Sequence, residues 1–167
     1  MLKPQDIFVL VHLGLRGDDW TYPSLASALS LSASEVHAAI KRAQAAGLYD
    51  EVRRTPRRRE LLELITHGVR YVYPVQRGSI SRGRPTAHGA PPLRGRIRLS
   101  EGDVIPVWPD PEGEARGEAW EPLYPSVPRA TRNDPELCEA LALVDAVRGG
   151  RARERTMAIT ELKGRLA

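Results

Sequence analysis

Between residues 20 and 48 the sequence predicts two short helices joined by a tight turn, and this segment constrains the fold more than any other. Thr21 is suited to cap the first helix, and Ser32 forms a capping box with Glu35 at the start of the second. Gly47 is suited to end the second helix. Apolar residues recur at helical spacing along one side of each helix: Leu25, Ala26, Leu29, Val36, Ile40 and Ala43.

A further amphipathic helix over residues 4–17 precedes this pair, so the segment predicts a helix-turn-helix. In that arrangement the second helix of the pair enters the major groove of DNA by its N-terminal end. Free N–H groups at the helix start are expected to add an anion site. The polar side chains on its outer side are suited to contact bases or phosphates. These candidates are Ser32, Ser34, His37, Lys41 and Arg42.

The stretch from Pro4 to Leu48, with its Ala45-Ala46-Gly47-Leu48 ending, resembles the winged-helix DNA-binding domains of bacterial regulators of the multiple-antibiotic-resistance-regulator type. A weaker resemblance is to winged-helix antitoxins encoded beside toxins. The first resemblance implies transcription regulation and a β-hairpin wing after the second helix. The sequence departs from this pattern because residues 57–67 are predicted to be helical and Val69–Tyr73 alternates like a strand. We therefore expect the wing to be displaced or replaced.

Positive charge collects in the first part of the chain. Residues 1–100 contain 16 Lys and Arg against 8 Asp and Glu, whereas residues 101–167 contain 9 against 13. This distribution favours a polyanionic partner. Further predicted DNA contacts lie in the loop after residue 48 and in the Gly/Arg-rich stretch 77–85. They are Arg53, Arg54, Arg57, Arg58, Arg82 and Arg84. For the Gly/Arg-rich stretch, pairing with the acidic segment 101–121 within the chain is the alternative.

Prolines and two amphipathic segments divide the rest of the chain. Ten of the 14 prolines lie between Pro85 and Pro135, so we expect extended, irregular chain over residues 76–132. Residues 133–167 are predicted to form a helical hairpin with its turn at Gly149-Gly150. We expect the apolar stripes of this hairpin to form a homodimer or partner interface, with burial in the protein's own core as the alternative. The stripes contain Leu137, Leu141, Val144, Ile159, Leu162 and Leu166.

The predicted fold class is therefore α+β and mostly helical. It consists of a winged helix-turn-helix domain over residues 1–75, an extended segment over 76–132 and a helical hairpin over 133–167. The first functional prediction is sequence-specific binding of double-stranded DNA by a transcriptional regulator that forms a homodimer. The alternatives are an adaptor or antitoxin that masks a partner protein, and RNA binding through the Gly/Arg-rich stretch.

The sequence contains no motif that predicts catalysis or a cofactor. The four histidines and the single cysteine have no metal-ligand spacing, and neither a phosphate-binding loop nor a nucleophile motif is present. We expect no catalytic residues, no metal, no cofactor and no enzymatic activity. No apolar stretch reaches about 18 residues, and the N-terminus does not resemble a signal peptide, so we expect a cytoplasmic protein without a membrane partner.

Overall fold

A computed structural model describes all residues, 1–167. The chain begins with the helices α1 (Pro4–Arg16), α2 (Tyr22–Leu29) and α3 (Ala33–Ala45). A hairpin and two helices follow: β1 (Tyr49–Asp50), β2 (Thr55–Pro56), α4 (Arg58–His67) and α5 (Val69–Val72). Next come β3 (Arg77–Pro85), a short 3-10 helix (Ala87–Gly89), β4 (Pro106–Pro109) and β5 (Ala115–Trp120). The last helices are α6 (Val127–Thr131), α7 (Pro135–Gly149) and α8 (Ala152–Leu166). The fold is α+β and mostly helical, as predicted, and none of the helices has the length and hydropathy to cross a membrane.

The caps predicted from the sequence begin the second and third helices. The Thr21 hydroxyl accepts a hydrogen bond from the backbone N–H of Ser24 at 3.1 Å. The Ser32 hydroxyl accepts one from Glu35 N–H at 3.1 Å, and the Glu35 carboxylate accepts one from Ser32 N–H at 2.7 Å. Gly47, just beyond α3, has a φ of 77°, a left-handed conformation that favours glycine. These local signals therefore place both helices.

Two predictions for residues 49–73 are wrong. An antiparallel hairpin follows Leu48 directly, with Tyr49 opposite Pro56, so the hairpin is neither displaced nor replaced. The segment expected to be a strand is the helix α5. Its residues alternate in sequence, but only Val69 is buried, while Tyr71 and the residue after it are exposed. One buried residue per turn suits a helix, and a strand would have buried every second residue.

A closed three-stranded arrangement replaces the irregular chain expected over the middle segment. β3 is antiparallel to both β5 and β4, and β4 and β5 pair in parallel. The closure needs glycine at two crowded positions. A Cβ on Gly83 would lie 2.1 Å from the carbonyl oxygen of Trp108, and one on Gly117 would lie 2.0 Å from that of Ile105.

The prolines of this segment explain why its pairing was not predicted. Pro85, Pro106 and Pro109 stand at the ends of β3 and β4, where a missing N–H does not interrupt the ladder. The proline content thus predicted extended chain for the strands of this segment, but it missed the helix α6. It was a poor guide to pairing, because pairing depends on residues far apart in the sequence.

Helix α7 lies at the centre of one hydrophobic core that includes residues from α1 to α8. Every residue from Ala140 to Arg148 is buried. The Asp145 carboxylate accepts hydrogen bonds from the Thr86 hydroxyl at 2.8 Å and the Trp108 indole N–H at 2.6 Å. It also pairs with the Arg148 guanidinium at 2.7 Å. This buried network joins α7 to β4 and to the chain that leaves β3.

The C-terminal helical hairpin is present, but its apolar stripes face the protein's own core. Five of the six predicted interface residues are at most 1 % exposed, and Ile159 is half-buried. The five are Leu137, Leu141, Val144, Leu162 and Leu166. The interface expectation is corrected accordingly, because these side chains have no free surface to offer a second chain. Two short helices alone leave such stripes uncovered, and α1, α4 and the 3-10 helix cover them here.

Candidate nucleic-acid interface

Side chains on both sides of the β1–β2 hairpin fix its position beside α3. The Gln44 amide, in the last turn of α3, donates to the Glu51 carboxylate at 2.6 Å. On the other side, the indole N–H of Trp20 donates to the backbone carbonyl of Arg54 at 3.1 Å. The Arg54 guanidinium donates to the carbonyl of Trp20 at 2.7 Å and lies 4.5 Å above its ring. Arg54 thus attaches the hairpin to the connection between α1 and α2, and its guanidinium is already engaged.

Five of the predicted DNA contacts are exposed side chains that form no hydrogen bond or ion pair within the chain. We call them the basic face, and they are Ser34, His37, Lys41, Arg53 and Arg57. His37 and Lys41 line a groove between α3 and the hairpin. Arg53 and Arg57 line a second groove, on the hairpin turn and the start of α4, together with the exposed Arg59. The hairpin therefore has a cationic groove on each side.

Two carboxylates, Asp50 and Glu60, line the second groove. Asp50 accepts hydrogen bonds from the backbone N–H groups of Arg53 and Val52, each at 3.0 Å. The bond from Arg53 N–H, with help from the nearby guanidinium of Arg57, lowers the pKa of Asp50. Asp50 therefore stays ionised, orders the turn and removes part of the positive charge of the groove.

Four other predicted contacts support the fold instead, and the first two lie near α1. Arg42 donates through Nε and Nη2 to the two carboxylate oxygens of Asp6, each at 2.8 Å. Asp6 is fully buried in α1, and its hydrogen bonds raise the pKa of Arg42. Arg58 donates to the carbonyl of Gly14 at 2.6 Å, near the end of α1. Neither guanidinium is free for a phosphate, which corrects the expectation for both.

The other two engaged arginines are in the Gly/Arg-rich stretch, which is the strand β3. Arg82 donates to the carbonyl of Gly113 at 2.7 Å, and Arg84 donates to that of Pro128 at 2.6 Å. Arg77 forms an ion pair with Glu118 at 3.4 Å, as the alternative with the acidic segment predicted. The stretch is a paired strand whose guanidinium groups bind backbone oxygens, and this corrects the DNA contact predicted for Arg82 and Arg84.

The N-terminal end of α3 is not a free anion site. Ser32 is engaged in the capping box, and the Glu35 carboxylate lies over the first N–H groups. Glu35 also accepts a hydrogen bond from the Tyr124 hydroxyl, which comes from the segment after β5. The bond from Ser32 N–H, followed by that from Tyr124, lowers the pKa of Glu35, and the bond to Glu35 raises the pKa of Tyr124. The sequence could not reveal Tyr124, because it lies 89 positions away.

The structure brings no group of three or more His, Cys, Asp or Glu side chains together at metal-binding distance. No protein-family model, no curated protein and no solved structure matches the chain.

Proposed function

We propose that the chain binds double-stranded DNA as a winged helix-turn-helix, with α3 in the major groove and the β1–β2 hairpin as the wing. The observation that supports this most is the placement of Lys41, Arg53 and Arg57. These three cations are exposed, form no ion pair, and flank the hairpin on both sides. Free guanidinium and ammonium groups on a protruding hairpin and its neighbouring helix suit the phosphate backbone of a duplex.

The side chains of α3 divide between two kinds of contact. The major groove is wide enough for one α-helix, and the outer side of α3 presents small or polar groups to it. Ser34 and His37 are placed to contact base edges, whereas Lys41, one turn further on, is placed for a phosphate. Because Glu35 and Tyr124 cover the first N–H groups of α3, the contacts use the exposed side chains of the helix and not its N-terminal N–H groups.

A regulator of this kind usually binds a two-fold operator as a dimer, and a homodimer stays a prediction. The dimer needs a surface other than the buried stripes of α7 and α8.

One observation favours a protein partner as a second candidate function. Tyr71 and Val72 at the end of α5 are 73 % and 59 % exposed, and a partner that buried them would gain apolar contact area.

The proposal is tested by fluorescence anisotropy with two labelled duplexes, one from the region upstream of the protein's own gene and one of shuffled sequence. We expect tighter binding to the upstream duplex. Lys41→Ala should weaken binding to both duplexes, because a phosphate contact is independent of sequence. His37→Ala should change the ratio between them. The matched control is Arg153→Ala, which removes an exposed arginine from α8. Equal effects of the Lys41 and Arg153 variants would refute the proposed interface.

A further inference from the structure

A further cleft, separate from the two grooves beside the hairpin, lies between β5, the loop of residues 97–104 and the junction of α7 with α8. Its volume is about 280 Å³. No residue of the basic face lines it. The ionisable side chains that line it are Arg77, His88, Arg98, Asp103, Glu118, Arg151 and Glu154.

The wall formed by β5 and the start of β3 is held by its own contacts. The indole N–H of Trp120 donates to the Glu118 carboxylate at 2.7 Å. The Arg77 guanidinium lies 4.8 Å above the Trp120 ring and donates to the carbonyl of Gly149 at 2.5 Å. Glu118 and Arg77 also form an ion pair at 3.4 Å. These groups are engaged with one another, so they shape the cleft and leave the binding of a ligand to other residues.

His88 has a polar atom without a partner. Its Nδ1 is buried, forms no hydrogen bond, and lies 3.7 Å from the nearer carboxylate oxygen of Glu154. The other oxygen of Glu154 accepts a hydrogen bond from Arg151 N–H at 2.7 Å. Buried polar atoms without partners are rare in folded proteins. The His88 side chain also lines the cleft, so an imidazole nitrogen lies close to any ligand bound there.

Two guanidinium groups of the cleft have no acceptor within the chain. Three carboxylates line it alongside three arginines, so the formal charges balance, but each carboxylate already accepts a hydrogen bond within the chain. Asp103 accepts from Ser100 N–H at 2.8 Å, and Glu118 and Glu154 accept the bonds given above. By contrast, the guanidinium groups of Arg98 and Arg151 are exposed and form no ion pair.

We propose that this cleft binds a small phosphate monoester. A phosphate dianion matches two unpaired guanidinium groups and one imidazole better than a carboxylate does, because it has twice the charge and three acceptor oxygens. The exposed apolar side chains of Leu99 and Val104 line the same cleft and would contact the organic part. The volume limits the ligand to about the size of a mononucleotide.

The test is isothermal titration calorimetry of the full chain with phenyl phosphate, in the absence of DNA. We expect a dissociation constant on the order of 0.1 mM, the range open to a ligand of this size. The double variant Arg98→Ala/Arg151→Ala should bind at least about tenfold more weakly, the loss expected when charge-assisted hydrogen bonds are removed. Arg94→Ala is the matched control, since Arg94 is exposed, unpaired and outside the lining. Because every substituted side chain is exposed, the variants should fold.

Two comparison ligands separate the parts of the proposal. Benzoate has the same ring with a single negative charge and should bind more weakly than phenyl phosphate. Inorganic phosphate should compete with phenyl phosphate for the cleft. No binding of phenyl phosphate at about 10 mM, equal binding of benzoate, or undiminished binding by the double variant would overturn the proposal. Each result is independent of whether the basic face binds DNA.

Discussion

Two regions of the molecule are rich in arginine, and in each region some guanidinium groups extend into solvent while others are bound by the fold. In the N-terminal region, residues 4–57, Arg53 and Arg57 extend into solvent beside the hairpin. In the sheet region, residues 77–149, Arg82 and Arg84 donate to backbone carbonyls within 2.7 Å. A guanidinium has five donors in a fixed plane, so it can satisfy carbonyl groups at the ends of strands and helices. The density of arginine in a sequence is therefore weak support for a nucleic-acid site until the acceptor of each guanidinium is known.

The sheet region should be the more sensitive of the two to small changes. Gly117→Ala should destabilise the protein by about 4 kcal/mol or prevent folding, because the new Cβ would lie 2.0 Å from the carbonyl oxygen of Ile105. Gly164→Ala is the control, since a Cβ there meets nothing within 4 Å and alanine favours the helix. Urea unfolding measures both. A Gly117 variant as stable as the wild type would contradict the closed arrangement of the three strands.

In the N-terminal region, two neighbouring cations of α3 should behave in opposite ways. Arg42→Ala should cost about 3 kcal/mol of unfolding free energy, because it leaves the buried Asp6 carboxylate without its partner. Lys41→Ala should change stability by less than about 0.5 kcal/mol, as an exposed side chain without contacts. Denaturant unfolding of the two variants provides the comparison. Similar losses would remove the distinction between a structural and a free cation.

A histidine at the junction of the two regions should make stability depend on pH. Burial, with a contribution from Arg16, lowers the pKa of His12 from 6.5 to about 4. The folded chain therefore keeps His12 neutral where the unfolded chain takes up a proton. Its contribution to stability is complete above pH 6.5 and is lost as the pH falls towards 4, by at most about 3 kcal/mol. The unfolding free energy, measured by denaturant unfolding at several pH values across this window, should depend less on pH for His12→Gln than for the wild type. The control His67→Gln, at an exposed site, should show the same pH dependence as the wild type.

The contact between Tyr124 and Glu35 connects the sheet region to the start of α3 and should have the smallest effect. Tyr124→Phe should cost about 1 kcal/mol, the usual net value of one hydrogen bond, and should raise the pKa of Glu35. Tyr71→Phe is the control, because the hydroxyl of Tyr71 has no hydrogen-bond partner. Carboxylate titration by NMR measures the pKa. A Glu35 carboxylate that titrates identically in wild type and Tyr124 variant would show that the contact is absent in solution.

The two regions also differ in how far the sequence predicts them. Capping residues such as Ser32 and Glu35 act within four positions, so α2 and α3 follow from local sequence. The three-strand closure depends on Gly83 and Gly117, whose constraint appears only when distant strands meet. At the candidate interface, composition identified the cations Lys41 and Arg53 but could not separate them from Arg42. That distinction requires the position of Asp6, 36 residues earlier.

The free cations of the N-terminal region should bind DNA, and equally exposed cations elsewhere should not. The direct test is the salt dependence of duplex binding. It is measured as the slope of a plot of the logarithm of the binding constant against the logarithm of the salt concentration. The triple variant Lys41→Ala/Arg53→Ala/Arg57→Ala should reduce the magnitude of this slope by about 2.7, or about 0.9 for each phosphate that the protein no longer neutralises. The triple variant Arg94→Ala/Arg129→Ala/Arg153→Ala, at exposed positions outside the basic face, should retain the wild-type slope. Equal slopes for the two triple variants would show that the basic face is not the DNA-binding surface.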